Sequence, residues 1–215
     1  MSDWKLRALD ELEIVSTETG VPLKAVVRSR LAGYLAELEI WGPRLDLVGP
    51  AEFERFGARH LGDAWAALPV LERHLAGRIP RLLDVGSGAG VPGIPVALGL
   101  ELAQATLLEP RQKRASFLRA AARGIEGCAF DVLGARSEAL VTEGQTFDVV
   151  LTRATFSPDK LAAACLPLLR VGGILIAWVS SATAAAGLAD RLLGAAEILR
   201  PDPTGSTTLA IWRKG

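Results

Sequence analysis

RLLDVGSGAGVPGIPVALGL, residues 81–100, is the stretch that decides the fold class of this chain. Its apolar run ends at Gly86, the first of three glycines at alternating positions, and Gly88 and Gly90 follow. Glycines permit positive φ and let a ligand approach the backbone closely. Residues 93–100 have a helical pattern, so the loop also faces the free N–H groups of a helix start. We therefore predict a strand, a ligand-binding glycine turn and a helix.

A second glycine pattern overlaps the first, since Gly88, Gly90 and Gly93 fit the G-x-G-x-x-G fingerprint of dinucleotide-binding proteins. That fingerprint should begin directly at the end of the first strand. Gly86 occupies that position here, so the pattern that starts at Gly88 is out of register with the fingerprint. Asp84 would lie near the diphosphate of NAD and repel it, but would favour a ligand with ammonium and sulfonium groups. S-Adenosylmethionine has both groups and no phosphate, so a dehydrogenase is the less favoured interpretation. A role for Asp84 as a cap on the glycine turn is compatible with either ligand.

Glu109 ends the next apolar run, 19 positions after Gly90. A carboxylate at this place can accept two hydrogen bonds from a ribose diol. NAD and S-adenosylmethionine both carry that diol, so Glu109 predicts a nucleoside ligand without choosing between them. The alternative is an exposed acid at a helix start.

Apolar runs and helical patterns alternate from residue 81 onward. We predict strands at 81–85, 105–109, 128–133, 147–151 and 173–179, and helices at 93–100, 111–124, 158–169 and 182–193. Such alternation implies parallel strands joined by right-handed crossovers. Apolar runs at 196–200 and 207–215 flank a PDPTGS turn and predict an antiparallel hairpin. We predict an α/β fold, with a helical region over 1–78, in which one helix opens at Pro50, and a Rossmann-like sheet domain over 79–215.

The composition limits the classes of partner. The chain has 215 residues, with 24 Lys plus Arg and 24 Asp plus Glu, so its formal net charge is zero. Zero net charge argues against a strongly basic nucleic-acid binder but leaves room for a local basic patch. Cys128 and Cys165 have no metal-ligand spacing, which predicts reduced core thiols and no metal. We expect a cytoplasmic monomer without a membrane segment.

Longer motifs carry a resemblance to a known family. They are LLDVGSGAGVPGIPVAL (82–98), LLEPRQKRASFLR (107–119), GARSEAL (134–140) and FDVVLTRAT (147–155), with WGPRLDLV (41–48) and RHLGDA (59–64) before them. Together they resemble the RsmG, or GidB, family of bacterial small-subunit ribosomal RNA methyltransferases. The resemblance covers roughly residues 35–180. It implies the class I S-adenosylmethionine-dependent methyltransferase fold and methyl transfer to N7 of a guanosine, with 16S ribosomal RNA or the small subunit as partner.

The implied chemistry agrees with what the chain lacks. N7 of guanine already carries an in-plane lone pair, so no proton has to be removed before it attacks a methyl group. Positioning can then supply most of the rate without a strong general base. The sequence holds only two histidines, His60 and His74, and no Cys–His pair or clustered carboxylates.

The resemblance also assigns site residues. It implies cofactor contacts at Gly86, Val91, Ser137, Glu138 and Arg153. The loop and the second strand add Asp84, Gly88, Gly90 and Glu109 to the predicted cofactor contacts. Arg153 matches the arginine of the family's S-R-A motif and is also predicted to be catalytic, together with His60 and Asp63 of R-H-x-x-D. RNA contacts are predicted at Arg59, Lys113, Arg114 and Arg136. The alternatives are an ion pair for Arg153, and helix-to-sheet packing for the R-H-x-x-D residues.

The chain departs from the family pattern on the predicted substrate side. Gly42 follows Trp41 where the family has asparagine, and Asp46 replaces a second asparagine. Val179 and Ser180 stand where the family has a Lys-Gly pair. These departures keep two alternatives open: a methyltransferase of the same ancestry with a different substrate, and a non-catalytic S-adenosylmethionine-binding or assembly protein.

Overall fold

The computed structural model describes residues 3–153, 158–179, 197–199 and 208–215. Its strands are β1 (Leu82–Val85), β2 (Gln104–Leu108), β3 (Ala129–Leu133), β4 (Phe147–Thr152), β5 (Leu169–Val179), β6 (Glu197–Leu199) and β7 (Thr208–Arg213). They form one sheet in the order β3-β2-β1-β4-β5-β7-β6.

The first five strands are parallel, and β7 is antiparallel to both β5 and β6. This arrangement confirms the predicted α/β class and the antiparallel hairpin at the end of the chain. β1 and β4 are buried along their whole length, which explains why each appears in the sequence as a continuous apolar run. Because β1 pairs with both β2 and β4, the strand order reverses at β1, and a ligand crevice is expected at the carboxyl ends there.

Helices cover the sheet and precede it. They are α1 (Asp3–Thr19), α2 (Ala25–Leu45), α3 (Asp63–Trp65), α4 (Leu68–Leu75), α5 (Gly93–Gly99), α6 (Gln112–Arg123), α7 (Ser137–Thr142) and α8 (Pro158–Cys165). The sequence did not predict α7, and the predicted helix at 182–193 lies outside the described residues. The helix predicted at 158–169 ends at Cys165 and continues as a 3₁₀ turn, Leu166–Leu168.

The prediction of a single helix opening at Pro50 was wrong. A 3₁₀ helix, Pro50–Arg55, is followed by a π-helical turn, Phe56–Gly62, and then by α3. The wide turn lies against α1, where a Cβ on Gly57 would be 2.5 Å from the Ala8 backbone. The N–H of Ala58 donates to Glu11 Oε2 at 2.8 Å, outside the helical ladder. Contacts with a distant helix therefore override the local α-helical pattern.

The helical region and the sheet share a continuous core. Tyr34, Trp65 and Phe117 are buried in one cluster that includes residues from both regions. Trp178 of β5 donates its indole N–H to the carbonyl of Asp63 at 3.0 Å. The division into 1–78 and 79–215 stays a prediction. In the ranges the structure describes, no helix has the length and apolarity needed to cross a membrane.

Candidate active site

A cavity of about 1190 Å³ opens at the carboxyl ends of β1, β2, β3 and β4. The segments that follow these strands form its walls: most of 85–91, then 108–111, 135–138 and Arg153. The helical region completes the cavity with Val48, Glu52, Phe56 and His60. Lys160 of α8 also lines it. The cavity lies where the sheet topology places a ligand crevice, so the predicted strand ends and the helical region meet around one space.

The glycine loop presents bare backbone to this cavity. Gly86, Gly88 and Gly90 have φ of 78°, 53° and 89°, in the left-handed region that favours glycine. A Cβ on Gly88 would meet nothing closer than the Gly86 carbonyl at 3.8 Å. A Cβ on Gly90 would instead lie 2.6 Å from Ile94 Cδ1. Gly86 and Gly88 thus line the cavity, and Gly90 is required for packing behind it.

Asp84 lies behind the loop rather than on the cavity wall. Its Oδ2 accepts the N–H of Gly93 at 3.1 Å, and a Cβ on Gly93 would be 2.6 Å from that oxygen. Burial raises the pKa of Asp84 to about 7, against the lowering effect of hydrogen bonds from Ser87 and Gly93. Asp84 therefore caps the glycine turn and joins it to the first turn of α5. Its Oδ1 is buried and has no hydrogen-bond partner in the described part of the chain.

Glu109, after β2, is fixed by two backbone donors. Its Oε2 accepts the N–H of Gly88 at 3.0 Å, and its Oε1 accepts the N–H of Arg111 at 2.8 Å. The residue is only 4% exposed, yet it lines the cavity. Each carboxylate oxygen keeps acceptor capacity beyond these bonds. The contact with Gly88 couples the acid to the glycine loop.

The wall after β3 combines polar and basic groups. Ser137 and Glu138 begin α7, and the Ser137 hydroxyl donates to Glu138 Oε2 at 3.4 Å. Arg136 and Arg114 also line the cavity. Arg114 Nη2 donates to the carbonyl of Asp46 at 3.1 Å, which ties α6 to the end of α2.

Arg153, after β4, joins the sheet to the helical region. Its Nη2 donates to Asp63 Oδ2 and to the carbonyl of Arg59, both at 2.9 Å. Burial lowers the pKa of Arg153, and the neighbouring Asp63 carboxylate opposes that shift. Its Nη1 is buried without a hydrogen-bond partner among the described residues. One guanidinium nitrogen is therefore bound to the helical region, and the residue as a whole lines the cavity.

His60 and Glu52 form the wall next to Arg153. His60 Nε2 lies 3.1 Å from Glu52 Oε2, and Arg59 Nη1 lies 3.1 Å from Glu52 Oε1. The imidazole stacks on Phe56 with ring centroids 4.8 Å apart. Burial, then the charge of Arg153, lower the pKa of His60 to about 4. At neutral pH His60 is uncharged, and its contact with a carboxylate makes Nε2 the donor.

The cavity collects most but not all of the predicted site residues. Those that line it are Gly86, Gly88, Val91, Glu109, Ser137, Glu138, Arg153, His60, Arg114 and Arg136. Those that do not are Asp84, Gly90, Arg59, Asp63 and Lys113. The sequence missed Glu52, whose only signal was a carboxylate shortly before the Arg59–His60 pair. Across the described residues there is no cluster of three or more His, Cys, Asp or Glu that could hold a metal.

The structure explains two of the departures from the family pattern, those at Gly42 and Asp46. A Cβ on Gly42 would lie 2.9 Å from Phe53 Cζ, so an asparagine would collide with that ring. Asp46 is the C-cap of α2 with φ of 50°, a conformation that aspartate and asparagine both tolerate. Val179 pairs with Thr208 across β5 and β7, and Ser180 lies outside the described residues.

Comparison with known families and proteins gives one consistent result. The family model GidB, rRNA small subunit methyltransferase G, matches residues 28–186. A ribosomal RNA small subunit methyltransferase G from Rubrobacter xylanophilus is 33% identical over 93% of this chain and 77% of its own length. The same enzyme from Mycolicibacterium vanbaalenii is 40% identical over 63% of this chain, which spans 58% of that relative.

Solved structures share the fold at lower identity. A Thermus thermophilus 16S rRNA methyltransferase in complex with AdoMet and guanosine has a TM-score of 0.56 at 21% identity, covering 78% of this chain and 44% of that one. A precorrin-6y C5,15-methyltransferase from Geobacter metallireducens has a TM-score of 0.51 at 13% identity, covering 68% and 87%. These structures confirm the predicted class I methyltransferase fold.

Proposed function

Since the chain belongs to the GidB family, rRNA small subunit methyltransferase G, we propose that it methylates N7 of a guanosine in 16S ribosomal RNA with S-adenosylmethionine. Its substrate is 16S RNA or the small subunit, and it acts as a monomer in the cytoplasm. The observation that carries the proposal is one cavity in which a bare glycine loop, a fixed carboxylate and an uncharged histidine meet.

The cavity fits a positively charged nucleoside. Gly88 leaves room for the cofactor against the backbone, since a Cβ there would meet nothing closer than 3.8 Å, and Gly86 lines the same cavity. Glu109 is held by Gly88 and Arg111 in a position to accept hydrogen bonds from a ribose diol. Val91, Ser137 and Glu138 are further contacts on the same wall. When bound, S-adenosylmethionine supplies an electrophilic methyl group, which the N7 lone pair takes as the carbon–sulfur bond breaks and its electrons stay on sulfur.

The strand order separates the cofactor from the substrate. The loop, Glu109 and Ser137 follow β1, β2 and β3, so the cofactor occupies that side of the cavity. The guanine then lies at the β4 side, against Arg153 and His60. His60 is uncharged at neutral pH and does not need to remove a proton, because N7 carries none. Arg153 lines this side of the cavity and is fixed by Asp63 and the Arg59 carbonyl, which makes it the catalytic candidate with the best-defined position.

Three predicted residues act through others. Asp63 holds Arg153 through the 2.9 Å contact with its Nη2. Asp84 holds the loop through Gly93, and Gly90 permits close packing against α5. We therefore assign Asp63, Asp84 and Gly90 as positioning residues. Their substitution is expected to disturb the site by moving the groups they hold.

Two of the four cations predicted to contact RNA line the cavity, as do Arg111 and Lys160. Arg114 and Arg136 line the cavity, while Arg59 and Lys113 lie outside it. Contacts of such groups with phosphate position an RNA without reading its sequence. Because the net charge of the chain is zero, binding depends on this local concentration of cations. The affinity for RNA is then expected to fall steeply with salt.

Transfer of a labelled methyl group tests the proposal. Purified protein and labelled S-adenosylmethionine are incubated with small subunits and with naked 16S RNA, both from cells that lack the native methylation, and with large subunits as the control. Label in 16S RNA and none in the large subunit is the expected result. Cofactor binding without label would favour a changed substrate or a non-catalytic binding protein.

A further inference from the structure

Glu52 is a carboxylate on the substrate side of the cavity that the proposed function does not use. It belongs to the 3₁₀ helix Pro50–Arg55 and lines the cavity next to His60 and Arg153. Its side chain is 32% exposed, so its carboxylate is open to the cavity. Glu109, the other fixed carboxylate named above, follows β2 on the cofactor side.

The two neighbours of Glu52 hold it without saturating it. Arg59 Nη1 contacts Oε1 and His60 Nε2 contacts Oε2, each at 3.1 Å. A carboxylate has about four acceptor positions, so each oxygen can accept a further hydrogen bond. The stack of His60 on Phe56 fixes the imidazole and, through it, the direction of the carboxylate. The result is a pre-positioned pair of acceptors at the β4 side.

We propose that Glu52 reads the Watson–Crick edge of the substrate guanine by accepting hydrogen bonds from its N1–H and its N2 amino group. The proposal rests on the proposed function and specifies its base recognition. The two guanine donors are adjacent and point the same way, which matches the two oxygens of one carboxylate. Adenine presents an unprotonated N1 acceptor at this edge, so a carboxylate disfavours it. Bases held in an enzyme pocket are commonly read along this edge.

The same contact favours the reaction. The N7 lone pair forms the new bond to carbon, the carbon–sulfur bond electrons leave with sulfur, and no proton is lost. The guanine ring therefore gains a positive charge during the transfer. A carboxylate bonded to its N1–H and amino group interacts more strongly with the charged ring than with the neutral one. Loss of Glu52 is thus expected to lower kcat as well as substrate affinity.

A purely structural Glu52 would only hold Arg59 and His60 in place. Comparison of guanosine and inosine monophosphates separates the two roles, because inosine lacks only the N2 amino group. Each nucleotide is titrated into wild-type protein saturated with S-adenosylhomocysteine. We expect guanosine monophosphate to bind about tenfold more tightly, as one hydrogen bond to a charged group implies. In Glu52→Gln this preference should shrink to less than about twofold, because the acceptor charge is lost.

Glu54→Gln is the matched control. Glu54 lies on the same 3₁₀ helix but pairs with Arg7 and is 66% exposed outside the cavity. This variant should keep the wild-type preference and the wild-type transfer rate. An unchanged preference in Glu52→Gln overturns the proposal. So does equal or undetectable binding of the two nucleotides by wild-type protein that methylates small subunits. Absence of methyl transfer by the wild type would instead refute the proposed function.

Discussion

Tyr34 of α2 donates its hydroxyl hydrogen to the carbonyl of Ala89 in the glycine loop, at 2.8 Å. The ring is fully buried, and burial raises the pKa of Tyr34 far above its ordinary value, so the hydroxyl keeps its proton. This bond connects the helical region to the backbone that is proposed to hold the cofactor. The helical region therefore stabilises the loop as well as forming the other wall of the cavity.

Tyr34→Phe should weaken both stability and cofactor binding. The change keeps the ring but leaves the Ala89 carbonyl without its buried donor, which costs about 1–2 kcal/mol of unfolding free energy. Cofactor affinity should fall severalfold, because the loop loses its tie to α2. Urea unfolding and calorimetric titration measure the two effects. Wild-type values in both would show that the bond does not support the loop.

Gly88→Val should abolish cofactor binding, with Gly144→Val as its control. Gly88 and Gly144 have φ of 53° and 67°, and neither has a near neighbour where a Cβ would stand. Both variants should lose stability to a similar extent, of order 1–2 kcal/mol, from left-handed backbone strain. Only Gly88 lines the cavity, so only its variant should lose cofactor affinity, by more than about tenfold. Equal affinities in the two variants would place the cofactor elsewhere.

Arg153→Ala should impair methyl transfer beyond its effect on folding. Loss of the buried partner of Asp63 is expected to cost about 3 kcal/mol of unfolding free energy. Transfer by the folded fraction should fall about 100-fold, because a side chain that positions the reacting base is lost. Arg170→Ala is the control, since Arg170 pairs with Asp148 away from the cavity. A folded Arg153→Ala protein with wild-type turnover would support a structural ion pair.

The pH dependence of stability should report the buried His60. The pKa of His60 in the folded protein is about 4, below its ordinary 6.5. Between pH 6.5 and pH 4 the imidazole is therefore protonated in the unfolded chain but neutral in the folded protein. Stability is therefore lost as the pH falls from 6.5 towards 4. Asp84 acts in the opposite direction, since its folded pKa of about 7 adds stability as the pH falls below 7.

Comparison with His60→Gln isolates the histidine contribution. From pH 7 to pH 4.5, wild-type protein should lose about 2 kcal/mol more unfolding free energy than the variant. Urea unfolding at the two pH values measures the difference, and the Asp84 contribution cancels. Identical losses in the two proteins would mean that His60 is accessible to protons in the folded state.

The sequence predicted the sheet well because its strands are local and buried. β1 and β4 lie within a residue of the predicted 81–85 and 147–151. β5 begins four residues before the predicted 173, since Gly172 and Gly173 interrupt its apolar pattern. The hairpin followed from two apolar runs around a turn, and its pairing with β5 completes the sheet.

Without the family resemblance, the site was predictable only where it follows strand ends; the resemblance supplied His60 and Arg114. The glycine loop and Glu109 follow strands directly, so spacing alone located them. The π-helical turn depends on contacts of Gly57 and Ala58 with α1, far away in sequence. Glu52 became visible only when the fold brought it to the cavity beside His60 and Arg153. Local sequence patterns do not show which distant residues come into contact in the folded protein.

The identity of the methylated nucleoside tests the central claim most directly. Small subunits that lack the native methylation are treated with the protein and S-adenosylmethionine, and their 16S RNA is digested to nucleosides for mass spectrometry. The account predicts 7-methylguanosine, absent without enzyme and strongly reduced with Arg153→Ala. Methylation at any other atom or base, or none by a protein that binds the cofactor, would contradict it.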